Sequence, residues 1–387
     1  MMNNVIGWVT TLQKYALLIK RRRELNILQV YDASDPIEQY RVPAAGRCRI
    51  AFIIPGMPAY SGGHTSILRL GTYLCRRGHE VSYVSYEPVS PERMRRNAII
   101  NFHQFEGQLL PPSGLDSSYD IAVATTWLSA YHLYRHRHRY GYKAYFIQDF
   151  EPAFYPEGDL YWLALNTYRM GLHLISLGKW NKIRIEGATE VRNVDWIDFP
   201  FEKNQYKIVY VPKRPADRIR IAVYFKLDTK RGPHILLQAL ERLACELAEN
   251  KKACDIFFFG APRYLKLPLG RNLGQLDHRR LRDLYLRCDL GVVGSFSNMS
   301  LVDYEMIASS LPVVEFVNGS APSFFQREHV ILAGTDPRGF VDAVMPFLMD
   351  TDRLNAMIKA AQAAISTKTW EAAAAQFASI LGIGTHS

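Results

Sequence analysis

From Cys48 onward, short runs of β-branched and aromatic residues alternate with longer amphipathic stretches, and the alternation continues through most of the chain. Few architectures accept such a pattern. A strand, a crossover helix and a second strand build a parallel sheet with helices on its faces, so the fold class is α/β. The strands read at Arg49 to Ile54, Val81 to Tyr86, Ile121 to Thr125, Ala144 to Gln148 and Leu172 to Ser176. A second series reads at Ile219 to Phe225, Asp255 to Gly260, Leu290 to Gly294 and Pro312 to Phe316. Two Rossmann-like domains with a cleft between them are therefore expected. At 387 residues the chain is long enough for both. Gly187 to Arg218 has little periodicity and holds Pro200, Pro212 and Pro215, which places the interdomain link there. The expected organisation is an N-terminal extension over 1–47, a first domain over 48–205, a second over 206–365 and a closing helix over 366–387 that returns to the first domain.

Charge narrows the partners. Lys and Arg number 47 against 37 for Asp and Glu, a formal net charge of +10, which favours something anionic: nucleic acid, a phospholipid surface or a phosphate-bearing small molecule. Cys48, Cys75, Cys245, Cys254 and Cys288 are scattered and never form a Cys-x-x-Cys pair, so they read as reduced core thiols. No stretch reaches the roughly 18 apolar residues of a membrane span, and the N-terminus lacks a secretory cleavage pattern, so the expected location is the cytoplasm. Val5 to Leu25 reads as an amphipathic helix ending in Lys20, Arg21, Arg22 and Arg23; it suits either an anionic membrane surface or packing on the protein itself.

Three segments could carry chemistry. The first strand runs into a loop ending in Gly62 and Gly63, and a helix then starts near His64. A glycine pair there lets a diphosphate approach bare backbone N–H groups where the helix dipole favours negative charge, although such glycines also serve simple turns. The loop lacks the Gly-x-Gly-x-x-Gly fingerprint, which disfavours a nicotinamide or flavin cofactor, and no other cofactor is implied. In the second half, Lys226, Lys230 and Arg231 crowd the start of a helix opened by Pro233. Positive charge is penalised at that end, so the cluster wants an anion, and Lys226 and Arg231 are the expected phosphate ligands. The third segment is Ser297, Asn298, Met299 and Ser300, after which a short helix starts at Leu301, with Ser300 and Asp303 as a capping box and Glu305 one turn in. A carboxylate so placed can accept two hydrogen bonds from a sugar or ribose hydroxyl pair, or can be an exposed helix residue.

Taken in this order, the segments resemble the two-domain glycosyltransferases of the GT-B fold, family 4 in particular. Lys226, Arg231 and Gly232 match that family's basic pair and glycine, and Glu305 with Pro312-Val313-Val314 matches its second glutamate and following strand. Two positions depart from it: the family's first glutamate falls on Ser297, and Gln148 stands where a histidine usually precedes the aspartate. The chain is more closely similar to WsaF-type rhamnosyltransferases, through Gln148-Asp149-Phe150-Glu151-Pro152, Phe154-Tyr155-Pro156, Tyr168-Arg169-Met170-Gly171 and Tyr224 through Arg231. The resemblance implies a metal-independent, retaining transfer of a sugar from a nucleoside diphosphate, thymidine diphosphate rhamnose first, to a bacterial surface polysaccharide or its lipid-linked precursor. It implies Lys226, Arg231, Gln148 and Asp149 as the catalytic set, Gly62, Gly63, Lys230, Ser297, Asn298, Met299, Ser300 and Glu305 at the donor, and Asp149, Glu151 and Tyr155 at the acceptor. Peripheral contact with the inner membrane or with other polysaccharide synthesis enzymes fits the same reading. The alternative is an inactive sugar-binding or scaffolding subunit that keeps the fold.

Other features read blandly. Asp350 and Asp352, the only Asp-x-Asp, suit a helix cap rather than a metal. His132 and His136 share a helix face, but Arg135, Arg137 and Arg139 oppose a cation there, so a solvated surface helix is expected. Tyr131, Tyr134 and Tyr140 could stack bases, but no nucleic-acid module accompanies them, and nucleic acid is not an expected partner.

Overall fold

A computed structural model of the chain describes residues 26–37, 46–203 and 206–383. The helix expected over Val5 to Leu25 lies outside the described residues. The first sheet holds β1 (Arg49–Ile54), β2 (Glu80–Ser85), β3 (Gln108–Leu110), β4 (Tyr119–Ala124), β5 (Tyr140–Ile147), β6 (His173–Leu177) and β7 (Val194–Ile197). All neighbours are parallel, in the order β3-β2-β1-β4-β5-β6-β7. The second sheet, also parallel, holds β8 (Arg218–Tyr224), β9 (Ala253–Phe259), β10 (Arg271–Asn272), β11 (Leu290–Val292), β12 (Val313–Phe316) and β13 (Ile331–Ala333), in the order β10-β9-β8-β11-β12-β13. The link is shorter than its sequence suggests, because β7 lies inside Gly187 to Arg218 and completes the first sheet.

Crossover helices cover the sheets. Five belong to the first: α1 (Gly62–Arg76), α2 (Pro91–Asn101), α3 (Trp127–Arg135), α4 (Asp159–Asn166) and α5 (Lys179–Ala188). The remainder are α6 (Pro233–Glu249), α7 (His278–Arg287), α8 (Leu301–Ala308), α9 (Pro337–Met349), α10 (Thr351–Ile365) and α11 (Trp370–Ile380). With helices on both faces, a central strand buries side chains on both of its sides. In β1, Ile50, Phe52 and Ile54 join one core while Ala51 and Ile53 join the other. Of the cysteines only Cys48 and Cys288 are buried; Cys245 is exposed, so the reading of all five as core thiols is corrected. The surface-helix reading of the His132 stretch is corrected as well. Trp127, Ala130, Tyr131, Leu133 and Tyr134 of α3 are all buried, and His132 stacks on Tyr86 with ring centroids 4.6 Å apart. Tyr131, Tyr134 and Tyr140 are core residues with no face for a base.

The end of the chain lies against the first domain. Phe377 of α11 packs on Phe52 and Phe146, with centroids 6.2 and 5.5 Å away, and Gln376 exchanges hydrogen bonds with the backbone of Trp196 and Asp198. Asp350 caps α10, its carboxylate accepting from the amides of Asp352 and Arg353.

Candidate active site

In each sheet the strand order reverses once, between β1 and β4 and between β8 and β11, and α/β folds bind ligands outside the carboxyl ends of strands at such points. Here the loops leaving those strands meet across one cleft of about 510 Å³. Its first-domain wall carries Gly62, Gly63, Gln148 and Asp149; its second-domain wall carries Lys230, Arg231, Asn298, Met299 and Ser300.

The glycine loop is held from below. Ser61 caps α1, its Oγ accepting from the His64 amide at 3.4 Å, and His64 Nε2 lies 3.0 Å from the Pro55 carbonyl. A carbonyl only accepts, so Nε2 carries the proton and Nδ1 accepts from the Ser61 hydroxyl at 2.8 Å. Burial holds the His64 pKa below its ordinary value, which keeps the ring neutral. Gly63 lies against the Gln148 amide, which a Cβ on the glycine would meet at 3.4 Å, so the start of α1 and the Gln148 side chain border the same part of the cleft.

Opposite, Thr229–Arg231 form a 3-10 turn, with Asp228 Oδ1 accepting from Lys230 N at 3.2 Å. Gly232 follows at φ 58°, and a Cβ there would lie 2.3 Å from the Phe296 ring, so only glycine fits. The turn is laced to the loop after β11: Phe296 N donates to Lys230 O at 3.1 Å and Arg231 Nη1 donates to Ser295 Oγ at 3.0 Å. Lys226 stands outside the cleft wall, over the face of Tyr224 at 5.7 Å; the Arg231 guanidinium shares that ring at 5.9 Å. Burial and the nearby Arg231 lower the Lys226 pKa. The two cations lining the cleft are thus Lys230 and Arg231.

Asp149 joins the domains. Its Oδ2 accepts from Ser297 Oγ and its Oδ1 from Asn298 N, both at 3.0 Å, and Lys230 Nζ lies 3.6 Å away. Asn298 Nδ2 reaches the carbonyls of Gln148 at 2.7 Å and Leu177 at 2.9 Å. Ser297 and Asn298 are consequently buried, and Ser297 faces the other domain rather than the open cleft.

Three site residues take positions the sequence did not suggest. Glu151 edges the cleft but is 5% exposed; its Oε2 accepts from Trp127 N at 2.7 Å and its Oε1 from the Tyr145 hydroxyl at 3.0 Å. It caps α3 instead of facing an acceptor, and burial pushes its pKa up to about 8. Tyr155 accepts from Trp127 Nε1 at 3.1 Å and is not on the cleft wall. Glu305 lies off the wall as well, half-buried beside the phenols of Tyr206 and Tyr285, and burial pushes its pKa up to about 7.

The capping box does not close. Ser300 Oγ accepts from Val302 N at 3.3 Å, but Asp303 is fully buried and faces Glu315 of β12. Glu315 Oε2 accepts from the amides of Ser295 at 3.1 Å and Phe316 at 3.2 Å, which fixes the loop that holds Arg231. Desolvation raises both acid pKa values, that of Glu315 to about 7, and the charge of Glu315 raises Asp303 further, so the pair retains a proton near neutrality. Sequence reasoning missed this pair and His64. The available signal was the carboxylate of Glu315 inside an otherwise apolar strand. Among the described residues, no three His, Cys, Asp or Glu side chains gather as a metal site.

Two parallel sheets with facing switch points and a cleft between them define the GT-B architecture. The similarity extends to particular proteins. Residues 78–179 match the family model described as WsaF, N-terminal domain. The O-antigen biosynthesis protein RfbC of Myxococcus xanthus is 31% identical over 235 residues, covering 57% of this chain. The chain spans 17% of the length of that relative. Among solved structures, HepE of Anabaena in complex with UDP and glucose superposes with a TM-score of 0.64 at 15% identity over 87% of this chain and 100% of that one. A sucrose-phosphate synthase from Thermosynechococcus elongatus gives 0.64 at 15% over 86% and 98%. The chain thus shares the GT-B fold over most of its length and is similar to the WsaF type over residues 78–179.

Proposed function

We propose that the chain is a glycosyltransferase of bacterial surface polysaccharide synthesis. In this reading it moves a sugar, rhamnose from thymidine diphosphate rhamnose first, onto a saccharide or lipid-linked saccharide with retention and without a metal. The observation that carries this is the cleft, where the bare amides of α1 and the cations Lys230 and Arg231 face each other at the two switch points. That arrangement suits a diphosphate, since both walls present positive potential to one anion. RfbC supports the pathway class by its name, and HepE, of the same fold, holds UDP and glucose.

In the transfer, the bond between sugar C1 and the diphosphate oxygen breaks and its electron pair leaves with the diphosphate, whose charge Arg231, Lys230 and the helix amides stabilise. The acceptor oxygen bonds to C1, and its proton passes to the departing diphosphate. Gln148 and Asp149 border the sugar end, where Gln148 can hydrogen-bond a hydroxyl but cannot titrate. Contact with the inner membrane or with other polysaccharide synthesis enzymes belongs to the same proposal.

The test screens purified protein against nucleotide sugars in excess chelator, with Arg231→Ala in parallel. The expected result is hydrolysis or transfer from one donor, with diphosphate affinity about ten- to a hundredfold lower in Arg231→Ala and nucleoside affinity unchanged. Binding without turnover of any donor would leave a sugar-binding subunit and end the enzymatic reading.

A further inference from the structure

A second concavity lies in the C-terminal domain, away from the cleft. It is a groove of about 1010 Å³ between α7, the β9–β10 edge of the second sheet and the link segment 211–216. Arg214, Arg263, Arg271, Arg280 and Arg287 line it, all exposed, and Arg280 alone of these has a carboxylate nearby, Asp277 at 3.7 Å. The other four form no ion pair among the described residues. Arg220 and Lys213 also line it, and against these seven cations the lining sets two acids, Asp283 and Asp289, with Asp277 beside Arg280. The groove thus concentrates much of the chain's net charge of +10 at a place the cleft chemistry does not use.

The lining is also apolar. Phe257, Leu273, Leu276 and Leu284 share the groove with the arginines. At its margin Val211 is 43% exposed, and Tyr264, next to Arg263, is 86% exposed. A single small phosphate would need one or two of these cations and none of the apolar surface. Nucleic acid would want several rings open to stacking, whereas the groove itself holds one half-buried ring, Phe257, among its leucines. Many dispersed phosphates above a hydrocarbon layer match both properties at once, and a tyrosine at the margin suits the headgroup level.

We propose that this groove docks the protein on an anionic phospholipid surface, the arginines meeting lipid phosphates while Tyr264 and Val211 enter the headgroup layer. The proposal is independent of the reaction in the cleft, and its test measures no transfer.

Co-sedimentation of the full chain with vesicles decides it. Phosphatidylcholine vesicles containing about a third phosphatidylglycerol should bind the protein, and pure phosphatidylcholine vesicles should not. Arg271→Glu, Arg280→Glu and Arg287→Glu together should weaken binding by at least about a hundredfold, on the basis of roughly fivefold for each basic residue near an anionic surface. A charge-matched control carries Arg93→Glu, Arg95→Glu and Arg96→Glu on exposed positions of α2, and it should retain binding. Tyr264→Ser, at a side chain that is largely exposed, should also weaken binding. Equal loss in the control would overturn the proposal, because net charge would then suffice. Undiminished binding in the groove variants, equal binding to neutral vesicles, or a preference for single-stranded DNA over vesicles would each overturn it as well.

Discussion

Glu151 sits one residue beyond the Asp149–Phe150 pair at the end of β5, where a ligand-binding carboxylate is expected, yet its oxygens accept from Trp127 N and Tyr145 Oη inside the protein. Burial stabilises the protonated acid, so the folded protein binds a proton that the unfolded chain releases near pH 4.5. The sign follows from linkage: the stabilising contribution is complete below the unfolded pKa and is lost as pH rises through the folded value of about 8. Glu305 and Glu315, both raised to about 7, act in the same direction. Stability should therefore fall between about pH 5 and pH 8. Glu151→Gln keeps an acceptor for Trp127 N and removes the titration. Urea denaturation at both pH values should show the variant less pH-sensitive than the parent, by on the order of 1–3 kcal/mol; parallel profiles would refute the assignment.

At the scale of elements, α11 shows how much stability rests on a contact between residues distant in sequence. Phe377 is fully buried against Phe52 of β1 and Phe146 of β5. Truncating such a ring leaves a cavity that close-packed strands cannot fill, at a cost of about 3–5 kcal/mol. Phe377→Ala should lower the denaturation midpoint by a corresponding amount, and an unchanged midpoint would show that α11 does not pack there. Central strands were legible in the sequence because each is a run of apolar residues buried on two faces, as Arg49 to Ile54 illustrates. The edge strands β3, β7, β10 and β13 were not, since two to four residues are too few to show a period. Ser300 and Asp303 have capping-box spacing, but spacing says nothing about Glu315 twelve positions on, and that long-range partner turned Asp303 inward. The glycine loop and basic turn were readable because helix starts have local signatures. The cleft position of Lys230, in place of Lys226, depends on Phe154 and Asp149 of the other domain, which only the fold brings near.

For the whole molecule, the question is what holds the two domains at their present separation. The described residues of the link bond to the second domain, Val209 N donating to Ala308 O and Val211 N to Ser310 Oγ, whereas Asp149 reaches that domain from the first through Ser297, Asn298 and Lys230. Asn298 returns two bonds to the ends of β5 and β6. These contacts lie at the floor of the cleft, so they set its width and with it the distance between the α1 amides and Arg231 that a diphosphate must bridge. Removing one partner of a charged hydrogen bond costs about 1.5–3 kcal/mol, which shifts an opening equilibrium by roughly ten- to a hundredfold. Asp149→Ala should accordingly favour an open arrangement, read by small-angle scattering as a larger radius of gyration without ligand. One core cluster lies within each domain and a third spans both, so the loss of a single hydrogen-bonded carboxylate should change thermal stability far less than shape. A nucleoside diphosphate that bridges both walls should draw the variant closed again, restoring the parent's scattering curve at saturation. Arg231→Ala provides the contrast: it should keep the parent's unliganded dimensions while losing diphosphate affinity. Identical scattering from Asp149→Ala and the parent, with and without nucleotide, would remove Asp149 from the role of domain latch.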